Sequence, residues 1–166
     1  MKLLWSKQLS VGNVFIDSEH RNLISLVNDV IRAIETRDSP GLAQSFEQLD
    51  HWSRTHFANE EKIAQALSFD FSLHKLAQQN ALIELGFLRD ELADGNNLWS
   101  KDAIEHFTQF LKNWMINEHI IGLDMQMKPV LQKYDYSFWP NRECNEAGRI
   151  PVIRDTPRFV AGMASA

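Results

Sequence analysis

Residues 46–67, FEQLDHWSRTHFANEEKIAQAL, decide how this chain folds. Wound into an α-helix, the stretch gathers Phe46, Leu49, Ser53, His56, Glu60, Ile63 and Leu67 on one side, at the three-and-four spacing of a core-facing stripe. His56 and Glu60 do not belong in oil. They stand four residues apart, so their side chains lie one above the other and present two donor atoms to a single point. Burying an unpaired carboxylate costs several kcal/mol unless a cation or hydrogen bonds offset it. Upstream, Ser39-Pro40 marks the start of this second helix, because a proline in the first turn gives up only an N–H that has no helical partner. Leu42 extends the stripe to that end.

Three more segments repeat the pattern. The first helix carries Ile16, His20, Leu23, Val27, Ile31 and Ile34 on one face, with Asp17 placed to cap its start. The third, from about Phe71 to Leu92, sets Phe71, His74, Gln78, Leu82, Leu85 and Leu92 on one side and stops at Asp94-Gly95-Asn96-Asn97. Ser100 caps a fourth with Ile104, Phe107, Leu111, Trp114 and Met115, running through His119 and Asp124 until Pro129 ends or kinks it. Short connections at 38–39, 68–70 and 93–99 force sequential helices to run antiparallel. The expected fold is all-α, an up-down-up-down antiparallel four-helix bundle over residues 1–134. Its first 16 residues, MKLLWSKQLSVGNVFI, form an irregular N-terminal arm across the bundle. Residues 135–166, broken by Pro140, Gly148, Pro151 and Pro157, are a C-terminal extension, tail or linker.

Composition narrows the function. The 166 residues carry 17 Lys plus Arg against 22 Asp plus Glu, a formal charge of -5, with no basic stripe to neutralise a row of phosphates or an anionic membrane. Neither nucleic acid nor membrane is an expected partner. No apolar run approaches the roughly 18 residues that span a bilayer. The single cysteine, Cys144, excludes an internal disulfide framework and fits the reducing cytoplasm.

Each of the four helices thus brings an imidazole to the inside: His20, His56, His74 and His119. One buried histidine is commonly satisfied by a neighbouring carbonyl. Four, accompanied by Glu60 and Asp124, call for cations. Four nitrogens and two carboxylates exceed what one tetrahedral zinc takes, and suit a pair of iron or manganese ions bridged by carboxylates. From His119 to Asp124 is five residues, about 140° around a 3.6-residue turn, so these two are expected to reach the metals from opposite flanks of the fourth helix. His51 and His106 are expected at the rim or surface.

Residues 5–28, WSKQLSVGNVFIDSEHRNLISLVN, with HFANEE at 56–61 and LKNWMINEHIIGLD at 111–124, resemble the three signature stretches of the bacterial hemerythrins. The likeness runs from about residue 5 to 130. It implies a centre of two non-heme iron ions, oxo- or hydroxo-bridged, that binds dioxygen reversibly. It implies His20 and His56 on one iron, His74 and His119 on the other, and Glu60 and Asp124 bridging.

Two departures qualify that likeness. The family usually sets two histidines four apart on the third helix, whereas HKLAQQ follows His74 with Gln78. An amide is a poor, neutral donor beside imidazole, so the iron at His74 and His119 is expected to be under-coordinated, or to recruit water, chloride or another small anion. Weaker metal retention and faster oxidation of the ferrous state follow. Trp114 also lies five residues before His119, where the family often has four, and this predicts a local helical irregularity between them. The favoured function is a non-enzymatic di-iron domain that senses dioxygen, nitric oxide or redox state, and passes the change through the fourth helix to a C-terminal signalling output domain outside this chain. The alternatives are an oxygen carrier or store, a di-iron oxidase or peroxidase-like enzyme, and a bundle whose histidines are merely hydrogen-bonded.

Overall fold

The computed structural model describes residues 2–93 and 100–140. Within them lie α1 (Val14–Thr36), α2 (Ser39–Ala66), α3 (Ser72–Ala93) and α4 (Lys101–Asn113), and no strand. The fourth helical run continues past α4 as a π-helical segment (Trp114–Leu123), a 3-10 turn (Asp124–Met127) and the short α5 (Lys128–Leu131). The runs pack as an antiparallel four-helix bundle, with α1 against α2 and α4 and with α2 against α3. The expected stop of the third helix at 94–97, and most of the 93–99 connection, lie outside the described residues.

Local chemistry explains the helix ends. The α1 cap is Asn13, whose Oδ1 accepts from the Phe15 and Ile16 N–H groups at 3.0 and 3.2 Å, rather than the expected Asp17. Asp17 is already inside the first turn and fully buried, where its carboxylate accepts from Val11 N–H (2.9 Å), the Ser10 hydroxyl (2.5 Å) and the Tyr136 hydroxyl (2.9 Å). At the other end Arg37 turns the chain with φ 58. Asp38 then caps α2 through Gly41 N–H at 3.1 Å, with Pro40 in the first turn. Ser100 caps α4 through Ala103 N–H at 3.2 Å, as expected.

Two apolar clusters fill the interior. The longer contains Leu23, Val27, Val30, Ile34, Leu49, Leu111 and Met115; the other, at one end, contains Val11, Ile16, Ile63, Leu67, Phe71, Met127 and Leu131. The polar residues of the four stripes lie along the helices between these clusters. Leu82 and Ile104, expected inside, are only half-buried.

Both ends of the described chain are tied down. In the arm, Leu3 and Asn28 exchange two hydrogen bonds (2.8 and 3.0 Å), and Trp5 lies under Arg21, 4.8 Å from the guanidinium to the ring centroid. Beyond Tyr134, Tyr136 C=O accepts from Val14 N–H and Phe138 C=O from Asn13 Nδ2, each at 2.8 Å. Trp139 packs on Phe15 with ring centroids 5.0 Å apart. The rest of the expected tail, 141–166, lies outside the described residues. No helix among the described residues is long and apolar enough to cross a membrane.

Candidate metal centre

The π-helical segment does the decisive positioning. Asp124 N–H donates to His119 C=O, a five-residue step, so residues five apart come round to the same side. Trp114 and His119 accordingly stack, with rings 12° from parallel and 6.1 Å apart. His119 and Asp124 also superpose: His119 Nε2 lies 3.3 Å from Asp124 Oδ2. The expected irregularity is therefore present, and it overturns the expectation that His119 and Asp124 would act from opposite flanks. An α-helix would have separated them by about 140°.

Against this pair α1 sets His20, its Nε2 3.0 Å from the same Asp124 oxygen, and α2 sets His56, its Nε2 3.0 Å from His119 Nε2. One donor atom from each of His20, His56, His119 and Asp124 falls within 4.8 Å of all the others, and all four residues are buried. Glu60, one turn along α2, places Oε2 3.5 Å from His56 Nε2. Gln78 of α3 donates its amide to that same oxygen at 2.7 Å. His74 is buried too, but outside the cluster: its Nε2 donates to Leu123 C=O at 2.9 Å, with Phe71 stacked on the ring at 5.0 Å. Of the seven positions expected at the site, His74 is the one that its hydrogen bond holds apart.

Burial sets the charge state. Desolvation pushes His20 down to about 3 and, against the opposing bond to Glu19, His56 down to about 4. His119 falls well below the ordinary histidine range through burial and its neighbouring imidazoles. His74 is also lowered by burial. Glu60 and Asp124 are both driven well above the usual carboxylate range by burial, Glu60 further by the charge of Asp124. Both ring nitrogens of His20, both carboxylate oxygens of Asp124 and Glu60 Oε1 find no aligned hydrogen-bond partner. His20 Nε2 approaches Asp124 closely but at an angle unsuited to a hydrogen bond. Orphaned polar atoms of this kind cost about 1–3 kcal/mol each, more when charged, unless something outside the chain satisfies them.

Beside the cluster, a cavity of about 200 Å³ opens between α3 and the π-helical segment, lined by Phe57, Ala77, Gln78, Ala81, Trp114 and His119 among others.

No family model matches the chain. Among curated proteins it is similar to the bacteriohemerythrin of Pseudomonas aeruginosa, 23% identical over 69% of this chain and 72% of that one. It is also similar to a hemerythrin-like protein of Naegleria gruberi, 29% identical over 76% of this chain and 92% of that protein, and to the myohemerythrin of Theromyzon tessulatum, 24% identical over 75% and 89%. The fold matches a crystal structure of a hemerythrin variant with TM-score 0.66 at 21% identity, covering 78% of this chain and 96% of that chain. The chain is thus similar to hemerythrins in sequence and shares their fold.

The sequence concealed three contributors to the site. Glu19 accepts from His56 Nδ1 at 2.9 Å and from Asn59 Nδ2 at 2.6 Å, bridging α1 and α2. With its proton on Nδ1, the His56 ring turns the lone pair of Nε2 into the cluster, the tautomer a metal requires. An acid beside a histidine on an amphipathic helix is commonplace, so Glu19 and Asn59 carry a signal only once the α1–α2 register is known. The Leu123 carbonyl, which holds His74, has none. His51 and His106 are exposed, as expected.

Proposed function

We propose that this domain holds a pair of non-heme iron ions and binds dioxygen or another small diatomic ligand as a sensor of oxygen or redox state. The observation that carries the reading is the buried convergence of His20, His56, His119 and Asp124, with orphaned atoms on His20, Asp124 and neighbouring Glu60. Neutral imidazoles and buried acids are the donor set a divalent iron takes. Binding a cation would satisfy the orphaned atoms and hold the acids ionised. In this reading His20, His56, His119 and Asp124 would hold the metal with Glu60 beside them, and His74 would join by giving up its bond to Leu123. Gln78 stands where the family likeness implies a further histidine, and its amide is bonded to Glu60 instead. When bound, the iron pair supplies the reversible electron exchange that captures dioxygen.

The residues around the site suit binding rather than turnover. Glu19 orients His56, Trp114 covers His119, and the cavity beside Gln78 admits a ligand of few atoms. A loosely held iron disfavours an oxygen store and favours a readout that changes with oxidation. Its route outwards follows the docking of residue 136: Asp17 lies one turn before His20 on α1 and grips the Tyr136 hydroxyl. The output domain expected beyond the tail, the cytoplasmic setting and the lack of nucleic-acid partners remain part of this proposal.

Reconstitution with ferrous ion under argon, followed by admission of air, tests it. Near-ultraviolet ligand-to-iron bands are expected to appear with air and to vanish on reduction. Gln78→His is expected to slow autoxidation. A spectrum indifferent to air would overturn the reading, and unchanged kinetics in Gln78→His would remove Gln78 from it.

A further inference from the structure

We infer that the two metal positions of this centre are unequal: one cation is held tightly by His20, His56, His119 and Asp124, the other only loosely beside Glu60, His74 and Gln78. The inference rests on the metal-binding reading above and goes beyond it by assigning the first ion to particular side chains.

The tight position is assembled before any ion arrives, and the hydrogen bond inside it, between His119 Nε2 and His56 Nε2 at 3.0 Å, joins two atoms that an ion would take together. Its donors come from α1, α2, the π-helical segment and the turn that follows, and already lie within 4.8 Å of one another. His56 is held in the ligating tautomer by Glu19. Neither nitrogen of His20 would lose an aligned hydrogen bond on binding, because neither has one.

The second position has the opposite character. His74 Nε2 is engaged with Leu123 C=O at 2.9 Å, and a nitrogen that donates to a carbonyl offers no lone pair. To ligate through that nitrogen, His74 must break the bond to Leu123 and move its proton. Gln78 turns the donor end of its amide to Glu60 Oε2 at 2.7 Å, so Glu60 Oε1 is the oxygen left without a partner. This pairing departs from the one the family likeness implies, in which His119 belongs with His74.

Anaerobic titration of the whole chain with ferrous ion against a chromophoric chelator, with metal content read by mass spectrometry after gel filtration, tests the inference. The unaltered protein is expected to retain one equivalent, with the second at least about tenfold weaker, the lower end of what even an outer-sphere change costs. His74→Ala is expected to leave the first equivalent unchanged, and His119→Gln to weaken it. Gln78→His should bring the second affinity towards the first. Two equivalents of equal affinity in the unaltered protein, which needs no variant to fold, would overturn the inference. So would His74→Ala weakening the first ion as much as His119→Gln. A protein that loads equally at both positions yet responds to air sinks this inference alone; one that takes up no iron sinks the functional reading with it.

Discussion

Glu19 touches no cluster atom except through His56, yet it fixes which nitrogen of that ring faces inward. Glu19→Gln keeps the size and removes the charge that stabilises Nδ1–H. Iron affinity is expected to fall about 10–100-fold, the usual cost of losing a carboxylate behind a metal-bound histidine. A calorimetric or chelator-competition titration reads it directly, and an unaltered first-site affinity would show that Glu19 serves only to join α1 to α2. Tyr136→Phe removes the hydroxyl that Asp17 accepts from. Because Asp17 keeps Val11 N–H and Ser10, the loss is expected to be about 0.5–1.5 kcal/mol in denaturant unfolding rather than collapse of the fold.

At the scale of the element, the π-helical segment is the device on which the centre turns. Trp114, His119 and Asp124 follow one another at five-residue steps, and only π winding lays all three on the interior side. Gly122 belongs to this device: a Cβ there would sit 2.9 Å from the Asn117 carbonyl oxygen, five residues back, where backbone must move to make room. Gly122→Ala is therefore expected to shift His119 relative to Asp124 and weaken iron binding while leaving most of the helical circular dichroism. Normal metal uptake in that variant would mean that the turn tolerates the added methyl group. The α1 cap offers a control: Asn13→Ala should cost about 1 kcal/mol of stability without selective loss of metal.

Across the whole molecule, the buried charges make metal-free stability depend on pH with a definite sign. His20 and His56 are held down to about 3 and about 4, and His74 and His119 are lowered as well. In the unfolded chain these rings protonate near the ordinary value of 6.5, so below that pH the unfolded state gains protons that the folded state refuses. Stability is then lost as pH falls. Glu60 and Asp124 act in the other direction, because the folded chain keeps their protons above the unfolded values of 4.5 and 3.8. The two sets balance near pH 6.5, where the four rings are half-protonated in the unfolded chain; below it the rings outweigh the acids, and metal-free stability is expected to fall from there to about pH 5. Urea midpoints of metal-free protein at pH 6.5 and 5 measure it. A midpoint that rises on acidification would contradict the burial of these rings as neutral groups.

Much of this architecture was legible because hydrophobic periodicity is a local property. The stripe through Phe46, Leu49, Ile63 and Leu67, the break at Ser39-Pro40 and the Ser100 cap each depend on neighbours within a turn or two, and the helices follow. The polar members of the stripes were legible for the same reason: His20, His56, Glu60, Gln78, His119 and Asp124 stand where only apolar residues sit without cost. Other features needed the folded molecule. Asn13 rather than Asp17 caps α1, because Asp17 is claimed by Val11, Ser10 and Tyr136, partners up to 119 residues away. Trp114-to-His119 spacing foretold an irregular turn, but not that it would carry Asp124 round to His119. His74 looked like an equal partner until the Leu123 carbonyl, 49 residues distant, was found holding its nitrogen. Which side chains turn inward is a local matter, set by helical period and the cost of exposing oil. Which of them meet is not local, since donor atoms converge through the register of packed helices, the π winding of the fourth run and competing backbone bonds from distant residues.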